Sequence, residues 1–275
     1  MKSRMTPGKA LLEIVSFLLA VIFLTPILWS LAVSLKPEGT PIHNAFDWFK
    51  APYTFRNYPD VLLKSQVSVW FLNSLFVAAV STVLILLISS MAAYPIAKMD
   101  FPGKGFLYVF YLVGMIVPTE ATIVPLYITA NNLNLIDSYT GLILPTIAGS
   151  MNLIIMVTFF RGIPNEMIEA AKIDGAGNFN IYLKIILPLS KSVLFTVGIF
   201  AFIGSWNNYL WPLLCVTSGN MFTLPVGIPT FSGTYTVDYV KPMTANMVAS
   251  IPAIIIYLIF EKRIVKGIAL SGIKG

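Results

Sequence analysis

A charged segment between two long apolar runs reads Glu169-Ala170-Ala171-Lys172-Ile173-Asp174-Gly175 and continues to Ile185-Ile186-Leu187-Pro188. The two alanines leave one face of a helix without bulk, so that another surface can approach it closely. Gly175 is the natural stop of such a helix, because glycine takes the left-handed conformation after a helix without strain. The segment therefore predicts a short helix and a turn to which a partner protein can bind.

Residues on either side of this helix favour a helix-turn-helix. Asn165 is a plausible N-cap, and Glu166 stands with Glu169 in the first turn, where the helix dipole favours acids. Asn178 can cap a second helix, and Pro188 fits the first position of the helix that follows. The apolar stripe of the second helix is expected at Phe179, Tyr182, Ile185 and Ile186.

The composition is that of a membrane protein. Of the 275 residues 57% are hydrophobic and 11% are charged, whereas a soluble domain carries about 25% charged residues. The apolar residues fall in blocks long enough to cross a bilayer, which needs about 20 of them. We therefore predict an all-α membrane protein with six transmembrane helices. They are expected between Glu13 and Lys36, at 69–93, at 105–130, between Asp137 and Arg161, at 188–214, and between Lys241 and Glu261.

The basic residues set the expected orientation. Thirteen of the eighteen Lys and Arg residues fall on the side of the two termini and of the Glu169 segment. Because cytoplasmic loops carry the excess of Lys and Arg, both termini and this segment are predicted to be cytoplasmic. The first apolar block is expected to remain in the mature chain, since its uncharged stretch of 22 residues exceeds the core of a signal peptide, about 7–15 residues. The net charge of +6 fits this topology and does not indicate nucleic-acid binding.

The sequence argues against several kinds of chemical site. A single cysteine and a single histidine leave no disulfide within the chain, no Cys/His metal cluster and no catalytic constellation. The Gly-x-x-x-x-Gly-Lys-Ser/Thr pattern of a phosphate-binding loop is missing, so the chain is not expected to bind ATP by that device. We therefore expect that the chain is not an enzyme and that it binds no metal and no cofactor itself.

The spacing of the charged segment resembles a known motif. Glu-Ala-Ala is followed by three residues, Gly, nine residues, Ile, one residue and Leu-Pro, as in the coupling loop of permease subunits of bacterial binding-protein-dependent ABC importers. The resemblance covers nearly the whole chain from Val69 onward and is closest to the shorter permease subunit of the maltose-type carbohydrate importers. Further stretches that resemble this family are Asn73-Ser74-Leu75, Ala92-Ala93-Tyr94-Pro95, Phe101-Pro102-Gly103-Lys104, Pro125-Leu126-Tyr127, Gly141-Leu142-Ile143-Leu144-Pro145 and Trp206-Asn207-Asn208-Tyr209-Leu210-Trp211-Pro212.

The resemblance implies the type I ABC importer permease fold, with a cytoplasmic coupling helix. It divides the chain into a first transmembrane helix with an outer loop at 1–68, a permease domain at 69–262 and a cytoplasmic tail at 263–275. The tail resembles the family's C-terminal extension into the ATPase dimer, and a frayed end is the alternative. The residues implied to couple to the ATPase are Glu169, Ala170, Ala171, Asp174 and Gly175, and those implied for the tail contact are Gly272, Lys274 and Gly275.

The resemblance also implies a function and partners. The chain is then a permease subunit of an ATP-driven importer of sugars, with oligosaccharides as the expected class, in the bilayer of the bacterial cell membrane. A second, non-identical permease completes the pore, two ATPase subunits bind ATP and Mg, and an extracytoplasmic solute-binding protein delivers the sugar. The alternatives are an ion-coupled secondary transporter, which calls for inverted repeats and intramembrane charges, and a channel or membrane scaffold.

Three polar residues at membrane depth are candidates for the substrate pathway. Asn207 and Asn208 are expected on one helix, about 100° apart, so that one faces the route while the other bonds a neighbouring helix; interhelical bonding by both is the alternative. Glu120 lies between Pro118 and Pro125. It either takes part in transport or lies high enough to meet water or a basic partner.

Overall fold

The described part of the protein is helical. The computed structural model describes residues 7–41, 44, 47–48, 50–231 and 239–272, and of residues 7, 10 and 262–272 the backbone alone. Within these ranges no β-strand occurs, which confirms the all-α prediction. The long helices are α1 (Pro7–Ser34), α3 (Val67–Lys98) and α14 (Val240–Gly272).

Shorter helices connect the long ones. They are α2 (Asn57–Lys64), α4 (Lys104–Gly114), α5 (Thr119–Asn132), α6 (Tyr139–Ile143), α7 (Ser150–Arg161), α8 (Glu166–Ile173), α9 (Asn178–Ile181), α10 (Leu187–Leu189), α11 (Lys191–Trp206), α12 (Leu210–Cys215) and α13 (Leu224–Gly227). A π-helical stretch, Tyr182–Ile186, joins α9 to α10. Turns of 3₁₀-helix lie at Leu144–Thr146, Gly219–Met221 and Ile228–Phe231.

The predicted spans divide into straight and broken ones. In the described part of the chain, three helices are long and apolar enough to cross a membrane unaided: Leu11–Ser34, Val67–Lys98 and Val240–Glu261. Three pairs of helical segments reach that length only together. They are Lys104–Gly114 with Thr119–Asn132 (bend of 102°), Tyr139–Thr146 with Ser150–Arg161 (46°), and Asn178–Leu189 with Lys191–Trp206 (79°). If each pair is one span, the number of spans is six, as predicted, and the fifth lies at 178–206 rather than at 188–214.

The breaks correct the expectation of continuous helices at 105–130, between Asp137 and Arg161, and at 188–214. Pro118 has no backbone N–H and adopts extended backbone angles, so α4 cannot continue into α5. Close packing accompanies this break: a Cβ added to Gly114, the last residue of α4, would lie 2.7 Å from Oγ of Ser150, the first residue of α7. Glycine therefore lets the ends of these two helices meet.

Contacts group the chain into two compact units, Met1–Ser68 with Ile228–Ile251 and Val69–Gly227 with Pro252–Gly275. In the first unit, Asn57 donates through Nδ2 to the carbonyls of Ser34 (2.7 Å) and Lys36 (2.6 Å). The hydroxyl of Thr244 also donates to the Ser34 carbonyl, over 3.3 Å. The buried Lys36 ammonium donates to the carbonyl of Lys50. These bonds tie the chain after α1 to α2 and to the start of α14.

The second unit has one continuous apolar core. It is built from inward-facing residues of α3, α6, α7, α8, α11, α12 and the π-helical stretch. Its fully buried members include Met156, Val157, Phe160, Ile181, Ile186 and Val197. The core matters for the site because it holds one face of α8 and leaves the opposite face in contact with solvent.

Candidate coupling site

Helix α8 lies against the core along one narrow face. Ile168 is buried and Ala171, one turn later, packs against the core, which matches the i, i+3 spacing of a helix face. Its ends carry the charges that a helix dipole favours, with Glu166 and Glu169 in the first turn and Lys172 in the last. The opposite face, with Glu169, Ala170, Asp174 and Gly175, is exposed. The structure thus brings the predicted coupling residues together and presents four of the five to solvent.

The turn after α8 has the geometry predicted for Gly175. This glycine has φ +80°, in the left-handed region. Its N–H donates to the carbonyl of Lys172 over 3.0 Å, and the N–H of Ala176 donates to the carbonyl of Ala171 over 2.9 Å. This pair of bonds is a Schellman motif, which satisfies the last carbonyls of a helix. The prediction of Gly175 as the helix stop is confirmed.

The start of α8 differs from the prediction. Asn165 occupies the N-cap position, but its side chain accepts no hydrogen bond from the helix N–H groups. Its Oδ1 instead accepts from Nζ of Lys98, at 2.7 Å. The backbone carbonyl of Asn165 accepts the N–H groups of Ile168 and Glu169, both at 2.9 Å. The prediction of a side-chain cap was wrong because the ammonium group of Lys98, from α3, donates to the amide oxygen of Asn165 instead.

Lys98 binds the whole connection between α7 and α8. Its Nζ also donates to the carbonyls of Arg161, at 3.3 Å, and Ile163. The last carbonyls of a helix have no partner within it, and a lysine is a common way to satisfy them. In the sequence, Lys98 counted only as one of the thirteen basic residues on the predicted cytoplasmic side. Nothing local indicates this contact, since more than sixty residues separate Lys98 from its acceptors.

The return from α8 also departs from expectation. Gly177 is the N-cap of α9 and Asn178 is its first residue, so Asn178 does not cap this helix. Of the predicted stripe, Tyr182 and Ile186 are buried and Ile185 packs against the core, but Phe179 is exposed. The π-helical stretch supplies the reason, because its wider turn changes which residues face inward. The helix runs through Pro188 to Leu189 and bends only afterwards.

Apolar side chains on the solvent face were missed by the sequence reasoning. Ile173 is 87% exposed, and Met167 and Phe179 are exposed as well. An open cavity of about 420 Å³ lies beside Met167. It is lined by Thr158, Phe159, Gly162, Ile163, Pro164, Met167 and Leu189. Large apolar residues on a charged, solvent-facing helix are the sequence signal that could have identified this surface, since such patches mark interaction sites.

The pathway candidates lie at helix ends. Asn207 ends α11, and Asn208 lies between α11 and α12, so the expected position of both within one helix is wrong. Asn207 is exposed and Asn208 half-buried. Glu120 is exposed in the first turn of α5, directly after the break at Pro118. Within the described ranges no hydrogen bond or ion pair joins Glu120 to either asparagine.

The tail is described in part. Gly272 is the last residue of α14. Lys274 and Gly275 lie outside the described residues. The tail contact therefore stays a prediction.

Solved and characterised proteins share this architecture. A crystal structure of a bacterial ABC transporter involved in the import of the acidic polysaccharide alginate contains a chain that matches with a TM-score of 0.83. The match covers 94% of this chain and 98% of that one, at 21% identity. It shows that this chain has the fold of that transporter chain.

Sequence relatives cover nearly the whole chain. The arabinooligosaccharides transport system permease protein AraQ of Bacillus subtilis is 35% identical over 94% of this chain and 93% of its own length. The trehalose transport system permease protein SugB of Mycobacterium tuberculosis is 34% identical, over 92% and 93%. The diacetylchitobiose uptake system permease protein NgcG of Streptomyces coelicolor is 31% identical, over 89% and 82%.

A family model describes most of the chain. The model for the inner membrane component of binding-protein-dependent transport systems matches residues 85–269, which include all of α8 and its flanks. With the relatives and the fold, this match assigns the multi-pass membrane protein to one family. The chain belongs to the inner membrane components, or permease subunits, of binding-protein-dependent ABC transport systems.

Proposed function

We propose that the chain is the permease subunit of an ATP-driven importer of sugars, with oligosaccharides as the substrate class. The observation that carries the proposal is α8, a helix held by its inner face, closed by a Schellman turn and open along its outer face. Relatives whose names specify arabinooligosaccharides, diacetylchitobiose and trehalose support a sugar as cargo.

In this proposal α8 is the coupling helix. Glu169, Ala170, Asp174 and Gly175 form the face that meets an ATPase subunit, and the inward Ala171 fixes that face on the core. The exposed Ile173 and Phe179 supply apolar area to the same contact. Two ATPase subunits bind ATP and Mg, and their closure displaces α8.

The remaining assignments complete the assembly. Residues 1–68 provide the first span and an outer loop, 69–262 form the permease domain, and the tail at 263–275 reaches the ATPase pair. Both termini and α8 lie in the cytoplasm of a bacterial cell. A non-identical permease forms the other half of the pore, and a solute-binding protein delivers the sugar. Asn207 and Glu120 contribute polar groups to the route, and Asn208 bonds a neighbouring subunit.

Displacement of α8 switches the bundle between inward-facing and outward-facing states. The permease supplies neither the energy nor a chemical step. It supplies a route whose accessible side depends on the position of α8. An ion-coupled mechanism has less support, because Glu120 is exposed at a helix start rather than enclosed among the spans.

The test is uptake by the reconstituted complex. The chain is co-expressed with the permease, ATPase and binding protein encoded beside it, and radiolabelled oligosaccharides are offered to proteoliposomes with or without enclosed ATP. We expect uptake that needs both ATP and the binding protein. Uptake that continues without ATP would overturn the proposal.

A charge reversal tests the role of α8 in the same assay. Glu169→Lys is expected to abolish ATPase co-purification and uptake, because it places a cation where the partner meets an acid. Asp100→Lys is the matched control, since Asp100 is a fully exposed acid on the same side whose ion-pair partner among the described residues is Lys104. Wild-type ATPase recovery with Glu169→Lys would show that this face does not dock the ATPase.

A further inference from the structure

Helix α3 contacts both flanks of the coupling helix. At the entry, Lys98 binds three oxygen atoms: the carbonyls of Arg161 and Ile163 and the side-chain amide of Asn165. An ammonium group that donates to several oxygens forms charge-assisted bonds, which are stronger than neutral ones. The start of α8 is therefore fastened to the inner end of α3.

At the exit, the same helix contacts the π-helical stretch. The hydroxyls of Ser90 and Tyr182 share a buried hydrogen bond of 2.7 Å. The rings of Tyr94 and Tyr182 pack with centroids 5.8 Å apart. A buried hydroxyl that loses its partner is costly, so this contact also resists separation. The chain segment that contains α8 is thus attached to one helix before and after the exposed face.

The far end of α3 is attached to another loop. Trp70 donates through Nε1 to the carbonyl of Gly219 at 2.8 Å. Asn73 donates through Nδ2 to the carbonyls of Asn220 (2.8 Å) and Phe222 (2.9 Å). The hydroxyl of Ser74 accepts the N–H of Leu224 at 2.8 Å. Residues 219–224 are therefore held by four hydrogen bonds from three residues of one helix.

We propose that α3 carries the displacement of α8 to residues 219–224, with Lys98 as the positioning residue that fastens the start of α8 to it. The two ends are too far apart for direct contact, since Asn73 and Lys98 stand 25 positions apart on α3, or about 37 Å at 1.5 Å per residue. A helix transmits such a displacement along its axis because its backbone bonds join every turn to the next. The inference rests on the proposed function, because it requires an ATPase that moves α8.

The test measures how many sugar molecules the reconstituted complex transports per ATP hydrolysed, with saturated binding protein. Lys98→Met removes the ammonium and keeps most of the aliphatic stem. Asn73→Leu removes the bonds at the far end, and Trp70→Phe is a second far-end variant that loses one bond and keeps an aromatic ring. Lys104→Met is the matched control, because Lys104 is a basic residue on the same side whose ion pair is with Asp100, four residues away.

We expect the Lys98 and Asn73 variants each to transport about tenfold less sugar per ATP, a loss within the usual range of coupling between sites. Lys104→Met should keep the wild-type ratio. A merely structural defect lowers the yield of complex and leaves the ratio of the assembled complex unchanged, so the ratio separates the two roles.

The double variant Lys98→Met with Asn73→Leu decides whether the two ends act in series. Distant, independent sites have additive effects, so their losses multiply in the ratio. If α3 joins both ends, breaking the contacts at either end interrupts the same connection. The double variant then transports as much sugar per ATP as the more impaired of the two single variants. Multiplied losses, or a wild-type ratio for Lys98→Met, would overturn the inference. Failure of the wild-type complex to transport would instead count against the proposed function.

Discussion

The backbone N–H of Ala176 donates to the carbonyl of Ala171 over 2.9 Å and closes the turn that ends α8. The bond forms only because Gly175, between them, has φ +80°. A residue with a Cβ is disfavoured there, whereas Gly177 has ordinary angles and nothing within 4 Å of an added Cβ. The two glycines of one loop therefore differ in what they tolerate.

This difference gives the first prediction. Gly175→Ala should cost about 1–2 kcal/mol in the left-handed turn and weaken ATPase docking by roughly 5–30-fold. Gly177→Ser is the control and should behave as wild type, because serine suits the N-cap position of α9. The measurement is the fraction of ATPase that co-purifies as detergent washing is extended. Equal retention by the two variants would mean that docking does not need this turn.

The second prediction concerns Gly141 in α6, where the close approach of Leu135 and Cys215 leaves no room for a side chain. An added Cβ would lie 1.9 Å from the carbonyl oxygen of Leu135 and 3.0 Å from Sγ of Cys215. The Gly141 carbonyl also accepts from Nε1 of Trp211 at 2.9 Å. Gly141→Ala should destabilise the protein by about 1–3 kcal/mol, the usual cost of overpacking.

Thermal unfolding in detergent provides the measurement. Gly204→Ala serves as the control, because an added Cβ at Gly204 meets nothing within 4 Å. A melting temperature of Gly141→Ala equal to that of Gly204→Ala would show that the backbone around Leu135 can move aside at little cost.

The fold was predictable from the sequence as far as its composition reaches. Six apolar blocks predicted six spans, a number that the structure matches if each bent pair is one span. The spacing from Glu169 to Pro188 gave the position of α8. The breaks within the three bent spans were not predictable from hydropathy. Hydropathy shows how long an apolar stretch is, but not where its helix bends. Asn207 illustrates this, because the apolar block around it conceals the end of α11.

Contacts between residues that are distant in the chain were also not predictable from the sequence. The Schellman turn at Gly175 is local and was foreseen. The bond from Lys98 to Asn165 joins residues far apart in the chain, and it replaced a cap that local rules favoured. The π-helical stretch is a third case: it moved Phe179 to the surface although the spacing placed it inward.

The third prediction tests the orientation of the loop. A cysteine introduced at Asn178 in a Cys215→Ser background should react with an impermeant maleimide only after the cells are opened. Asn178 is exposed, so its accessibility depends on the side of the membrane. A cysteine at Glu38, just beyond the C-terminal end of α1, is the control and should react in intact cells. Labelling of Asn178→Cys in intact cells would reverse the proposed topology.

The fourth prediction is a pH dependence that arises at Asp137. Its carboxylate accepts the N–H groups of Thr217 and Ser218, both at 3.0 Å, and the Ser218 hydroxyl. The side-chain bond from Ser218, followed by the two backbone bonds, lowers the pKa of Asp137 below its ordinary value of 3.8. A lowered pKa means stability that is present above pH 3.8 and lost as the pH falls through the folded-state pKa.

Asp137→Asn removes this titration. At pH 7 the variant should melt below wild type, because an amide cannot accept all three bonds. The gap between the two melting temperatures should narrow as the pH falls below 3.8, because the unfolded wild-type chain then takes up a proton that the folded carboxylate, with its lowered pKa, does not. Asp100→Asn is the control, since Asp100 accepts no backbone N–H in the described structure. A gap that is constant from pH 7 to pH 3 would exclude Asp137 as the cause.

The last prediction concerns the two asparagines at the end of α11. Asn207 is exposed and Asn208 half-buried, and among the described residues neither side chain has a hydrogen-bond partner. An amide offers both donors and acceptors, which suits the hydroxyls of a sugar. If the exposed amide of Asn207 binds sugar, Asn207→Leu should lower the uptake rate and leave the yield of complex unchanged.

Asn208→Leu separates this role from packing. A half-buried amide at the helix break can bond a neighbouring subunit, and such interhelical bonds contribute about 0.6 kcal/mol on average. Asn208→Leu should therefore reduce the yield of complex more than it reduces uptake per assembled complex. Both quantities are measured for each variant in the proteoliposome assay. Normal uptake and normal yield with both substitutions would remove the break at the end of α11 from the sugar route.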